Sequence, residues 1–366
     1  WVFLINVPVG IAAVIATFVF VPESVDEHAS HAIDWGGVLL SGVGIFALVF
    51  ALIEGTSRGW TSPLIVGLFI ASAILLVAFF WWEMRHPDPI MKLELFRIRN
   101  FWVSNLLGGI ISFGVLSMIF PLSAYLQGVL GYSPIRTGLT LVPMSLALTF
   151  IAPVAGRFAD RFGGRWFLVA GFSIMTVGMA LIVGQIGRNA TWESLFIPLA
   201  VTGIGMGLSF PPMTTIAMKD VPLGIAGSAS GMINTTRNIG QVLGVAVLGS
   251  VLQTRVGAET SSSLASTGLT PKVRGHIAEV AKANRFEEII RILPADQRDL
   301  LSAVLTALQN AFSSAVQTTL IIAALVTAVG LFAALLVQNP ARQTAEEATD
   351  ASRGETTTVS VPVFGE

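Results

Sequence analysis

Gly156-Arg157-Phe158-Ala159-Asp160-Arg161-Phe162-Gly163-Gly164-Arg165 places three arginines and one aspartate within nine residues, between apolar runs at roughly 137–155 and 166–186. About 20 apolar residues cross a bilayer at 1.5 Å rise each, and both runs are that long. The stretch therefore reads as a short charged turn joining two membrane-length helices. Gly156 and Gly163 allow close backbone approach and positive φ at the ends of those helices. Asp160 is placed to accept from helix-terminus amides or to pair with an arginine.

The rest of the chain repeats this alternation. Of 366 residues 53% are hydrophobic and 12% charged, about half the charged share of a soluble domain. Nine candidate spans follow from length and apolarity: 1–21, 35–53, 63–82, 102–126, 137–155, 166–186, 194–217, 225–253 and 313–337. The fold class is all-α, a polytopic transmembrane helix bundle. A barrel is excluded, because its strands would alternate with period two over about 10 residues. The chain begins at Trp1, inside an apolar run with no basic leader, so we expect it to be cut at the start of a membrane helix.

Orientation comes from counting Lys and Arg in the loops. Those after odd-numbered spans, with the tail, carry ten, and the short loops on the other face carry three. That asymmetry puts the odd loops and the C-terminus in the cytoplasm of a multi-pass cell-membrane protein. The long segment 254–312 is set aside from the count, since long loops weaken the rule. Within it Leu300, Leu301, Val304, Leu305 and Leu308 recur at helical spacing, so a helix should lie on the outer surface or lead into the last span. The tail 338–366 is polar and expected to be disordered.

Absences narrow the function. With no cysteine, disulfides and thiolate metal sites are out. His28, His31, His86 and His276 all fall outside the spans, and no metal-ligand spacing, Gly-x-Ser-x-Gly or P-loop is present. We expect no enzyme, no metal and no cofactor. The net charge of −1, spread over loops, carries no information on nucleic acid, and no such partner is expected.

The charged turn resembles the inter-helix loop of the major facilitator superfamily, G-x-x-x-D-R-x-G-x-R, with Gly156, Asp160, Arg161, Gly163 and Arg165 filling its places. Four further stretches are similar to the fourteen-span drug:proton antiporter branch, the EmrB/QacA type. They are Trp1–Gly10, Asp34-Trp35-Gly36-Gly37 with Leu52–Gly55, Tyr125–Pro134 and Ser230–Gly240. The resemblance implies spans six to fourteen. On that reading 1–21 is the last span of a missing N-terminal half, 22–99 holds two central spans with a cytoplasmic loop, and 100–337 is the C-terminal six-helix half. It further implies a proton gradient as energy source, with protons, a small amphipathic substrate and the lipid bilayer as partners. The missing half would be needed for a full transporter.

Candidate site residues follow from the polar positions inside spans. On a helical wheel Asn234, Arg237 and Gln241 fall within about 60° of each other. Gly227, Gly231 and Gly249 flank this stripe on one side, with Gly240 and Gly244 on the other. Met232, Ile239 and Leu243 would face lipid. Burying Arg237 costs about 3 kcal/mol on insertion scales, so it should face protein or water. It is either a substrate or coupling contact, or a structural arginine at a helix interface. Gly203, Gly207, Pro211 and Pro212 read as a gating bend or a packing kink. Asn105 and Gln127 are polar candidates near the ends of their span, and Asp34 suits a helix N-cap. Phe113, Met118, Phe120, Met144 and Phe150 are candidates for a greasy drug pocket. The charged turn would bridge neighbouring helix ends in one conformation and release them in the other. The leading expectation is proton-coupled drug efflux. The rivals are a dedicated exporter of one metabolite or antibiotic, and an inactive partial product or membrane scaffold.

Overall fold

The computed structural model describes residues 4, 6–20, 34–86, 89–187, 190–266, 269–282 and 300–338. The tail from 339, His28, His31 and the side chain of Asp160 lie outside the described residues. The described chain is helical: α1 Asn6–Phe20, α2 Trp35–Arg58, α3 Pro63–Glu83, α4 Arg99–Ile111, α5 Ser117–Gly128, α6 Pro134–Phe162, α7 Arg165–Gln185, α8 Trp192–Lys219, α9 Ala226–Ser263, α10 Pro271–Lys282 and α11 Leu301–Ala334. Short 3₁₀ turns sit at Leu93–Arg97, Leu223–Ile225 and Leu264–Ser266, and a π-turn, Ser112–Leu116, joins α4 to α5. Among the described residues eight stretches are long and apolar enough to span a membrane, with α4 through α5 forming one of them, Arg99–Gly128. The expected ninth, 1–21, is represented by α1, whose 15 described residues fall short of a span.

Helix ends follow local chemistry. Asp34 caps α2 by accepting from the Gly37 amide at 2.8 Å, as its position before the apolar run predicts. Ser133 caps α6 just ahead of Pro134, whose missing N–H costs nothing at the first helical position. Thr191 and Ser194 form a reciprocal capping box at α8. Three boundaries differ from expectation. Helix α6 runs on through Phe162, so Gly156 is an interior helical residue and only Gly163, at φ 84°, takes positive φ. No residue between 156 and 162 compels a break, and only glycine reaches Gly163's conformation cheaply. Helix α9 continues to Ser263, and α11 starts at Leu301 rather than 313, so the leucine-patterned stretch leads straight into the last span. Val304 and Leu308 are buried against the same core as Val256, Ile277 and Val280 of α9 and α10.

Consecutive helices are not always neighbours. Helix α8 packs against both α6 and α7, while α6 and α7 barely touch. Helix α11 bridges α7 and α9, and α9 also packs on α4, the π-turn and α5. The α2–α3 hairpin is docked on α9. Close approach in this bundle rests on small residues. At Gly203 an added Cβ would overlap the Met144 carbonyl oxygen of α6, and at Gly205 it would sit 2.6 Å from the Met175 amide of α7. Polar ties close both ends. Asn100 at the start of α4 accepts from the Gln338 amide at 3.0 Å and donates to Asp220 at 3.4 Å. At the other end the Tyr125 hydroxyl donates to the Gly187 carbonyl and accepts from its amide, and Gln317 donates to the Ile186 carbonyl at 2.7 Å. Large apolar side chains such as Phe150, Leu325 and Phe332 stand exposed on the outside, the surface a bilayer would cover.

Candidate functional site

The charged turn proper is Gly163–Gly164, and its arginines are carried by the last turns of α6 and the first of α7. Gly163 donates its amide to the Ala159 carbonyl at 2.9 Å and so ends α6. Gly164 is buried against α8: a Cβ there would overlap Ile216 Cδ1 and lie 3.4 Å from Pro212. One α6 segment away, Gly156 faces Pro211 at ordinary contact distance, 3.5 Å from an added Cβ. Two groups read separately along the chain, the charged turn and the Pro211–Pro212 pair, are therefore one contact. Arg157 and Arg161 are exposed, whereas Arg165 is partly buried, and its Nε is shielded from solvent without a hydrogen-bond acceptor.

Helix α8 stays helical through Pro211 and Pro212. Its glycines are contact points on two sides. Gly203 and Gly207 meet Met144 and Ile151 of α6, while Gly205 meets Gly171 and Met175 of α7. Pro211 and Pro212 cannot donate to the carbonyls four residues back, those of Gly207 and Leu208. Packing and a weakened hydrogen-bond ladder thus coincide in one helix, beside the charged turn.

Helix α9 supplies the polar stripe. Asn234 and Gln241 are exposed, and Arg237 is partly buried and reaches across to α8. Its Nη2 donates to Thr214 Oγ1 at 2.9 Å, its Cζ lies 5.4 Å from the centre of the Phe210 ring, and its Nε is buried with no acceptor. On the third side Gly108 of α4 leaves room for the Arg237 stem, 3.4 Å from where a Cβ would stand. Gly240 and Gly244 press on α4 and the π-turn, 2.5 Å separating an added Cβ on either from the carbonyl of Gly109 or Phe113. Met232 and Ile239, expected to face lipid, instead face the α2–α3 hairpin. A helical wheel places residues around one axis and cannot register that a distant hairpin docks there. Between hairpin and α9 lies a cavity of about 590 Å³ lined by Phe79, Phe80, Met91, Met232, Thr235 and Ile239. That volume is in the range of sites for drug-sized ligands.

The remaining candidates sit apart from Arg237. Asn105 is buried and donates to the Phe101 carbonyl of its own helix, and Gln127 is exposed at the end of α5. Of the proposed greasy residues Met118 and Met144 are buried core and Phe120 and Phe150 are exposed. One cluster was not anticipated. Asp34 and Glu83 are buried together at the open end of the α2–α3 hairpin, with the Trp82 indole donating to Asp34 at 2.9 Å. Burial pushes the Asp34 carboxyl up, but the Gly37 amide and the Trp82 indole outweigh it and hold it below its ordinary 3.8. A carboxylate ending an apolar run beside two tryptophans was the available signal.

Eight apolar helical stretches of spanning length among the described residues, packed around an arginine, define a polytopic membrane protein. The family model of the Major Facilitator Superfamily matches residues 1–245, and the chain belongs to that family. It is 34% identical to "Multidrug resistance protein Stp" of Mycobacterium tuberculosis over 279 residues, 76% of this chain and 51% of that protein. It is 32% identical to the "Tetracenomycin C resistance and export protein" of Streptomyces glaucescens, over 70% of this chain and 47% of that protein. It is 33% identical to the "Probable actinorhodin transporter" of Streptomyces coelicolor, over 72% and 46%. The chain thus spans about half the length of these curated relatives.

Proposed function

We propose that this chain forms the C-terminal part of a proton-driven exporter of amphipathic organic molecules, corresponding to spans six to fourteen of the fourteen-span antiporter branch. The observation that carries the reading is Arg237. A cation inside a span is costly, and this one is held between α8 and α4 with one buried donor, Nε, still without an acceptor. Such a donor suits an electronegative atom of a passing substrate, while the apolar cavity, on the other face of α9 against the α2–α3 hairpin, offers a separate site for an apolar molecule. The charged turn acts in the conformational change. Arg165 exchanges partners while the Gly156 and Gly164 contacts to Pro211, Pro212 and Ile216 slide, so α8 is the helix that transmits motion between turn and stripe. The proton gradient supplies the energy, the odd loops and C-terminus face the cytoplasm of the cell membrane, and a preceding helical half completes the central cavity.

The test is dye efflux in cells lacking their own pumps, comparing the chain alone with the chain fused behind the N-terminal half of a relative, with and without a protonophore. Efflux by the fusion that the protonophore stops supports the reading, and a fusion that folds, inserts and moves no dye refutes drug export. A dedicated metabolite exporter is the second reading, favoured by the two relatives named for tetracenomycin C and actinorhodin. It predicts that the fusion gives cells tolerance of one such compound and moves no unrelated dye.

A further inference from the structure

We propose that Asp34 and Glu83 form a proton-binding site, two carboxyl groups holding one proton between them, at the end of the α2–α3 hairpin that shares a face with the charged turn. Both side chains are more than nine-tenths buried, Asp34 at 6% exposure and Glu83 at 3%. One oxygen of each is satisfied. Asp34 Oδ1 accepts from Gly37 and Trp82, and Glu83 Oε2 accepts from the Met91 amide at 3.0 Å. The other oxygen of each, Asp34 Oδ2 and Glu83 Oε1, is buried without a hydrogen bond. These two oxygens converge. A Cβ on Gly37 would touch both, with Glu83 Oε1 at 3.0 Å, so they lie within the span of about 4–6 Å over which one charge governs its neighbour's titration.

Two like charges buried at that separation need something between or beside them. Among the described residues no group donates a hydrogen bond to Asp34 Oδ2 or Glu83 Oε1. His86, in the turn after α3, brings its Nδ1 to 3.9 Å from Asp34 Oδ2, beyond hydrogen-bond reach, and is partly exposed. The Arg85 guanidinium lies over the Trp81 ring, 3.9 Å from its centre. From α9 the nearest contribution is the uncharged Ser228, whose hydroxyl donates to the Ile90 carbonyl at 2.5 Å and lies 3.3 Å from the Lys92 amide, and Glu94 in the same loop is exposed. A calcium or magnesium ion takes six or more oxygens, and among the described residues no group of three acidic or histidine ligands assembles. A proton needs only the two oxygens present. Because Glu83 also holds Met91, and the neighbouring Ile90 and Lys92 hold Ser228, the site is linked through residues 90–92 to the helix that carries Arg237.

This site stands independently of export, and its test is spectroscopic. Infrared difference spectra of the purified full chain in detergent report a protonated carboxyl group by its deuterium-sensitive carbonyl stretch. The expected result at neutral pH is such a band in the wild type, lost in Glu83→Gln, lost equally in Asp34→Asn, and kept in Glu94→Gln. Loss in both variants is required because a proton shared between two carboxyl groups needs both of them. A wild-type spectrum without the band overturns the proposal, and this needs no variant to fold. A band that survives Asp34→Asn also overturns it, since one acid would then be neutral through burial alone.

Discussion

Gly203→Ala is the sharpest test of the packing that organises the bundle. A single methyl there would overlap the Met144 carbonyl oxygen and stand 2.9 Å from the Met144 carbonyl carbon and Cα. The obstacle is backbone, which cannot rotate aside as a side-chain tip would, so α6 and α8 must part. A gap of about 0.5–1 Å forfeits a quarter to a half of the dispersion attraction across the contact. Overpacking costs about 1–3 kcal/mol, and a backbone clash belongs at the upper end. Alanine's better helix propensity returns about 1 kcal/mol. The net loss is about 2 kcal/mol, roughly thirtyfold in the folded-to-unfolded ratio. Gly231→Ala is the matched control on α9, because nothing lies within 4 Å of its Cβ position and only the propensity gain remains. Thermal unfolding of both variants in the same detergent, followed by loss of the monodisperse peak on gel filtration, measures the difference. A Gly203→Ala melting point at or above wild type, or a Gly231→Ala loss as large, would refute the reasoning.

Other outcomes follow from contacts of the same kind. Gly164→Ala meets the tip of Ile216 rather than backbone, so its loss should be smaller, near 1 kcal/mol, and Ile216→Val should recover part of it in a double-mutant cycle on unfolding. Asn100→Leu removes the acceptor of the Gln338 amide and the link to Asp220, costing about 1–2 kcal/mol, with faster amide exchange at the end of α11 as the readout. Arg237→Gln should cut export by the fused transporter at least tenfold while leaving membrane insertion equal or better, since an intramembrane arginine costs about 3 kcal/mol. Asp34's folded carboxyl titrates below its unfolded value of 3.8, so its contribution is complete above that pH and is lost as pH falls through the lower folded value. Melting curves should therefore drop at acid pH in the wild type and stay flatter in Asp34→Asn.

What the sequence made legible was whatever one helix or one turn decides. Apolar length located the spans, Asp34 announced itself as a cap, and Gly163 as the residue that ends α6. The misplaced features all depend on a second helix. Gly156 reads as a turn glycine because the charges around it look like a loop, yet charged residues continue a helix well enough when nothing stops it. Met232 and Ile239 read as lipid-facing because a wheel knows only its own axis. Glu83 sits 49 residues from Asp34, and only the closing of the α2–α3 hairpin makes them a pair. The partners of Arg237 show the same limit. Its cost inside a span is visible from residue type, whereas Thr214, Phe210 and Gly108 come from two other helices.

The π-turn at Ser112–Leu116 gives the span Arg99–Gly128 an unusual tolerance. It holds one residue more than a regular helix would fit in the same rise, with the Ser117 hydroxyl within 3.2 Å of the Ser112 carbonyl five residues back and 3.0 Å of the Gln241 carbonyl on α9. In most membrane helices, losing one codon rotates every following side chain by about 100° and scrambles the packed face. Here the surplus residue is already stored, and a single deletion within 112–116 has a regular helix to relax into, with α5 keeping its face. Length variation among relatives of this chain should therefore collect at this turn rather than in the uninterrupted helices α7 and α8.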